Sequence, residues 1–165
     1  MSRRTDTIFG MFFATYIGVV RKRGYKMKTQ IILASHGKFA SGILNSLELI
    51  CGSNEFIKTV DCYLDESFDL NKVVKDIMNN YKNYELIVIT DLFGGSVNNE
   101  FLQYIKQPNF YLIAGLNLPF LIELVNRIEH NIDLFSLIHQ SLSNAKASIQ
   151  FCNDSYQKNL EEEYF

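Results

Sequence analysis

From Gln30 onward the chain alternates two hydrophobic periods. Ile31 to Ala34 is a short, unbroken apolar run of strand length, and Ala40, Ile43, Leu44 and Leu47 then recur at the spacing of one helix face. Gly52 followed by Ser53-Asn54 ends that helix. A second strand reads from about Ile57 to Tyr63, and "DESFD" brings turn and N-cap residues. The strongest helical signal follows, because Leu70, Val73, Val74, Ile77, Met78 and Tyr81 all share one face, with Asp69 placed where a carboxylate suits the helix dipole. "ELIVIT" (85–90) is a buried strand, "DLFGGS" a loop, Val97 to Lys106 a short helix, and "FYLIAG" (110–115) a fourth strand. "LNLP" makes a turn, Pro119 opens a helix through about His130, and Asp133 caps another through about Ala147. Ser148 to Cys152 reads as a last strand, and the polar tail 153–165 is expected to fray.

Strands alternating with helices at this spacing predict an α/β fold: a doubly wound, mostly parallel sheet with helices on both faces. A length of 165 residues with 47% hydrophobic positions suits one domain with a sizeable core, here placed at 27–152. The formal net charge of -2 gives no global basic field to draw nucleic acid. Cys51, Cys62 and Cys152 are an odd number with no metal-ligand spacing, which argues against a disulfide framework or structural zinc and for a reducing compartment.

Residues 1–26 stand apart. Their apolar stretch from Ile8 to Val20 lies between Arg3-Arg4 and Arg21-Lys22-Arg23, is short for a membrane span of roughly 20 residues, and is followed by basic residues where a signal peptide would have small ones. Since "MKTQIILASHG" from Met27 is a natural start, residues 1–26 read as a mis-assigned upstream extension, with a membrane-seeking segment as the alternative.

In sheets of this kind, ligands sit beyond the carboxyl ends of the strands, where strand order reverses. Three loops at that edge carry polar residues and glycine: Ser35-His36-Gly37, Asp91 to Ser96, and Gly115 to Pro119. An Asp91 carboxylate accepting the Nδ1 hydrogen of His36 would fix the tautomer, turn the Nε2 lone pair outward as a nucleophile, and stabilise the cation formed when that nitrogen is modified. Gly37, Gly94, Gly95 and Ser96 offer backbone N–H groups and a hydroxyl that favour a phosphate. Together these features describe a phosphorylatable histidine. Taken singly, each has a blander reading: a lone histidine is most often structural, a Gly-Gly pair a turn, and an aspartate a cap. His130 and His139 stay in that class. There is neither a Walker motif nor a dinucleotide fingerprint.

The segments "IILASHGKFASGI", "VITDLFGGSVN" and "LIAGLNLPFLIEL", in this order and spacing, resemble the IIA component of the mannose-type (mannose/fructose/sorbose) sugar phosphotransferase system, across about 27–150. The resemblance implies a homodimer that exchanges its last strand, here Ser148 to Cys152. It implies that His36 takes a phosphoryl group from the phosphocarrier HPr and hands it to a separate IIB protein, while the IIC and IID membrane components import the sugar. Asp91 would orient the histidine and Gly95 with Ser96 would hold the phosphate, without metal or other cofactor. The carrier would be cytoplasmic and reach the membrane only through its partners. Phe39 and Phe93 are either a docking surface for those partners or core residues. Two positions depart from the family pattern: Val97 stands where many members have proline, and Leu92 where some have threonine. An alternative function is a regulatory module in which phosphorylation of His36 reports sugar supply. A metal-dependent hydrolase using His36 and Asp91 is disfavoured by the lack of a further ligand cluster.

Overall fold

A computed structural model describes residues 27–129 and 133–155. The expected extension 1–26, the junction at His130 and most of the polar tail fall outside these residues. Among the described residues four strands form one sheet: β1 (Thr29–His36), β2 (Ile57–Cys62), β3 (Glu85–Thr90) and β4 (Phe110–Ala114). They lie in the order β2-β1-β3-β4, and every pairing is parallel. The helices between and after them are α1 (Phe39–Cys51), α2 (Leu70–Asn80), α3 (Ser96–Leu102), α4 (Leu118–Ile128) and α5 (Leu134–Ala147).

Strand alternation sends neighbouring residues to opposite sides of this sheet. Ile31 and Leu33 of β1, with Ile87 and Ile89 of β3, face α1, α4 and α5 through Leu47, Phe120, Leu124 and Leu137. Ile32, Ala34, Leu86 and Val88 face α2 and α3 through Val74, Ile77, Val97 and Phe101. The two cores therefore sandwich the sheet, and all six residues of β3 are buried. In packing of this density, trimming one such aliphatic side chain to alanine costs about 2–5 kcal/mol.

The chain runs from β1 outward to β2 and then returns across β1 to form β3. That reversal puts the switch point between β1 and β3, so the crevice above it lies where His36 and Asp91 leave their strands. The local caps agree with the sequence: Asp69 accepts from the Lys72 N–H, Asn117 from the Phe120 N–H, and Asp133 from the Phe135 N–H. Pro119 occupies the first turn of α4.

Three expectations are amended. The second strand ends at Cys62 rather than Tyr63, because Tyr63 turns into the left-handed region at φ 62°. The helix expected to reach Lys106 stops as an α-helix at Leu102 and continues in turns. Ser148 to Cys152 is no strand here: residues 148–151 form a turn and irregular chain, and a helical turn begins at Cys152. Among the described residues this segment pairs with no strand, and Ile149 and Phe151 are exposed.

Candidate functional site

The sheet register ends with Ala34 opposite Thr90, so β1 and β3 deliver His36 and Asp91 side by side. His36 is fixed on both its backbone and its ring. Asp91 Oδ2 accepts from the His36 backbone N–H at 2.9 Å and lies 2.8 Å from Nδ1. Asp91 Oδ1 accepts from the Leu92 N–H at 2.9 Å, so both carboxylate oxygens are in use. Partial burial works to raise the pKa of Asp91. The His36 backbone N–H, the imidazole and the Leu92 N–H outweigh it and hold the carboxyl below its ordinary range. An ionised carboxylate only accepts, so Nδ1 carries the ring hydrogen and Nε2 keeps its lone pair.

Nε2 lies 3.1 Å from the Ser96 hydroxyl oxygen. The side chain of His36 is 43% exposed and that of Asp91 16%, so the nitrogen can be reached from outside while its carboxylate is sheltered. Gly95 closes against the ring. A Cβ there would sit 3.4 Å from His36 Cε1 and 3.3 Å from the Leu92 carbonyl oxygen, a tighter fit than side chains usually accept.

The loop that carries Asp91 and Ser96 is held from below by Asn98, a buried residue of α3. Its amide donates to the Thr90 hydroxyl at 3.0 Å, and its carbonyl oxygen accepts the Gly94 N–H at 3.2 Å. The Thr90 hydroxyl in turn donates to the Ile113 carbonyl oxygen of β4. On the other side, Ser35 accepts from the Ala40 N–H at 2.7 Å, and Asp61 accepts from both the N–H and the hydroxyl of Ser41. These bonds satisfy the first turn of α1, which has no side-chain cap at Lys38, and fix the chain on either side of His36.

The structure thus brings His36, Asp91, Gly95 and Ser96 together. The backbone N–H groups expected to be open for a phosphate are already engaged: Gly37 donates to the Cys62 carbonyl, Gly94 to Asn98 and Gly95 to the Leu92 carbonyl. These amides build the tight turns themselves, while the Ser96 hydroxyl stands 3.1 Å from Nε2. The third loop, Gly115 to Pro119, serves the fold, because Asn117 caps α4 and folds back on the Gly115 carbonyl.

Two residues of the site escaped the sequence reading. Asn98 is one. The other is Tyr63, whose hydroxyl donates to Ser96 Oγ at 2.9 Å and whose ring stacks on His36 with centroids 5.5 Å apart. Its left-handed backbone, which costs an L-residue about 1–2 kcal/mol, turns the chain as it leaves β2. Cys62, paired in register with His36, is fully buried. Burial first, and then the Asp91 carboxylate, push its thiol up to about 11, so it stays protonated and unreactive at neutral pH.

Phe39, Leu92 and Phe93 are exposed, Phe93 to 83%, so the phenylalanines beside the histidine are surface and not core. Among the described residues no group of three His, Cys, Asp or Glu side chains could hold a metal ion. No helix among them is long and apolar enough to cross a membrane.

Comparison with known proteins places the chain in a family. A fructose-specific EIIA component of the phosphotransferase system from Bacillus subtilis is 25% identical over 134 residues, which is 78% of this chain and 89% of that protein. A crystal structure from Klebsiella pneumoniae, provisionally described as a phosphoenolpyruvate-dependent sugar phosphotransferase permease, is 44% identical. It covers 83% of this chain and 98% of its own, with a TM-score of 0.76. The phosphotransferase component EIIA of Streptococcus agalactiae superposes with a TM-score of 0.68 at 25% identity, over 76% of this chain and 98% of its own. The family model for the fructose IIA component of the phosphotransferase system matches residues 30–139, a span that contains every residue of the site. The chain belongs to this EIIA-man family of sugar phosphotransferase-system IIA components.

Proposed function

We propose that His36 is the phosphoryl acceptor of this carrier, receiving the group from phospho-HPr on Nε2 and passing it to a separate IIB protein during sugar import. The observation that carries this reading is a half-exposed imidazole whose Nδ1 hydrogen is held by Asp91 at 2.8 Å, at the switch point of the sheet. Transfer between two imidazoles needs alignment and charge stabilisation more than bond-making groups, and this site supplies both. As the N–P bond forms at Nε2, the ring becomes cationic and Asp91 faces that charge. Neither step asks for a metal or cofactor. The exposed Phe39, Leu92 and Phe93 offer an apolar surface to the two partner proteins, which must reach the same nitrogen in turn. The carrier acts in the cytoplasm and meets the membrane through IIB, IIC and IID.

The experiment is intact-mass measurement after incubation with phosphoenolpyruvate, enzyme I and HPr, followed by addition of IIB. One acid-labile phosphoryl group should appear only when HPr is present and should leave when IIB is added. Uptake without HPr would remove HPr as the donor. An adduct that IIB does not discharge would remove the transport role and favour the regulatory one.

The active form is proposed to be a homodimer built by exchange of the segment around Ser148 to Cys152. Support comes from exposed Ile149 and Phe151 on a segment that pairs with no strand among the described residues, and from β4 lying at the edge of the sheet. Sedimentation at micromolar concentration should give twice the chain mass, and Ile149→Asp with Phe151→Asp should halve it. A monomer in the unmodified protein would end this part of the proposal.

A further inference from the structure

We propose that Tyr63 is a positioning residue for phosphoryl transfer at His36, acting through the Ser96 hydroxyl. The inference rests on His36 being the phosphoryl acceptor. Three observations converge on it. The Tyr63 hydroxyl donates to Ser96 Oγ at 2.9 Å, and that same oxygen lies 3.1 Å from His36 Nε2. The tyrosine ring stacks on the imidazole at an interplanar angle of 26° and makes an edge contact with Phe68. The residue is 45% exposed, so core packing does not dictate its place, yet its backbone is held at φ 62°. A strained, half-exposed tyrosine is what a functional constraint at this spot would produce.

The order of donors follows from counting hydrogens. Nδ1–H donates a hydrogen bond to Asp91, so Nε2 can only accept, and Ser96 is the donor to it. Ser96 has one hydroxyl hydrogen. With Tyr63 donating into its oxygen, that hydrogen is aimed across the site at Nε2. When the phosphoryl group arrives, the Nε2 lone pair becomes the new N–P bond, and the N–P bond to the donor imidazole breaks, returning its electron pair to that ring. The Ser96 hydrogen stays on its oxygen and swings from Nε2 to a phosphoryl oxygen. The Nδ1 hydrogen stays on Nδ1, hydrogen-bonded to the Asp91 carboxylate, so no proton is gained or lost at His36. Throughout, Tyr63 keeps the Ser96 oxygen from turning to water, and its ring keeps the imidazole from rocking out of line. The two hydroxyls therefore do part of the work that the engaged glycine amides cannot.

Rapid-quench measurement of transfer from phospho-HPr to the full chain tests this with Tyr63→Phe, Ser96→Ala and the double variant. Tyr63→Phe keeps the ring and loses one hydroxyl. It should lower the first-order transfer rate about 5-fold, the usual weight of one such hydrogen bond, with the HPr concentration for half-saturation unchanged. Because Tyr63 acts through Ser96, the double variant should be no slower than Ser96→Ala alone. Multiplied losses in the double variant would show Tyr63 acting independently of Ser96 and overturn the relay. A Tyr63→Phe rate equal to that of the unmodified protein would overturn it too. If the unmodified protein takes up no phosphoryl group, the acceptor role of His36 fails and the role of Tyr63 fails with it.

Discussion

His36→Ala is expected to take up no phosphoryl group from phospho-HPr while keeping its fold, with a transfer rate at least about 10⁴-fold below that of the unmodified protein. The reason lies in what remains beside the missing ring. Ser96 and Tyr63 have hydroxyls within reach of the incoming group, but a hydroxyl is a weak nucleophile without a base to take its hydrogen, and the Asp91 carboxylate stays engaged with the backbone N–H groups of residue 36 and Leu92. Cys62 is buried and its thiol is pushed up to about 11, so it offers no thiolate. Stability should change by no more than about 1 kcal/mol, because the backbone N–H at position 36 and that of Leu92 still hold Asp91. Intact mass at low and neutral pH, with thermal melting beside it, checks both halves. An acid-stable adduct on the alanine variant would move the acceptor to a hydroxyl. An acid-labile adduct of full stoichiometry would move it to another histidine and sink the proposed mechanism.

Much of this architecture was legible from hydrophobic period alone, and the reason is burial on both sheet faces. β3 is buried at all six positions and therefore reads as an unbroken apolar run, while α2, with one face packed and one wet, shows the cleanest helical spacing. The pairing of His36 with Asp91 was also open to inference, because parallel strands end on the same edge and the switch point lies between these two. What stayed hidden depends on contacts that no period encodes. Tyr63 reaches the imidazole through a left-handed turn, and an unbroken strand reading would have sent its side chain elsewhere. Asn98 looks like any polar residue of a short helix, although Asn at a position flanked by buried Val97 and Phe101 was the available signal. The glycine amides read as open because sequence shows donors but not their partners. "SIQFC" alternates as a strand should, yet among the described residues it pairs with no strand, and alternation without a neighbour leaves the segment irregular.

Asp91→Asn should slow transfer by about 10²- to 10⁴-fold without removing any atom from the pathway of the phosphoryl group. In the native site both carboxylate oxygens accept from backbone, Oδ2 from the His36 N–H and Oδ1 from the Leu92 N–H, while Oδ2 also holds Nδ1. An amide has only one oxygen, so either orientation sets its NH₂ against one backbone donor. If the NH₂ faces Nδ1, the ring must give up its Nδ1 hydrogen and carry one on Nε2, which closes the nucleophile. If it faces Leu92, the ring keeps its tautomer but loses the charge that stabilises the phosphorylated cation. Either outcome should also destabilise the loop by about 1–3 kcal/mol. The pH dependence separates this from a general loss of packing. Asp91 is held below its ordinary pKa of about 3.9, so its contribution to stability is complete above that value and is lost as pH falls through the lower folded one. Chemical denaturation from pH 7 down to pH 2 should therefore show the unmodified protein losing more stability below about pH 4 than the asparagine variant. Identical acid limbs would mean that Asp91 does not meet His36 as an ionised carboxylate in solution. The tautomer argument for Nε2 would then fall, even if His36 still carried the phosphoryl group.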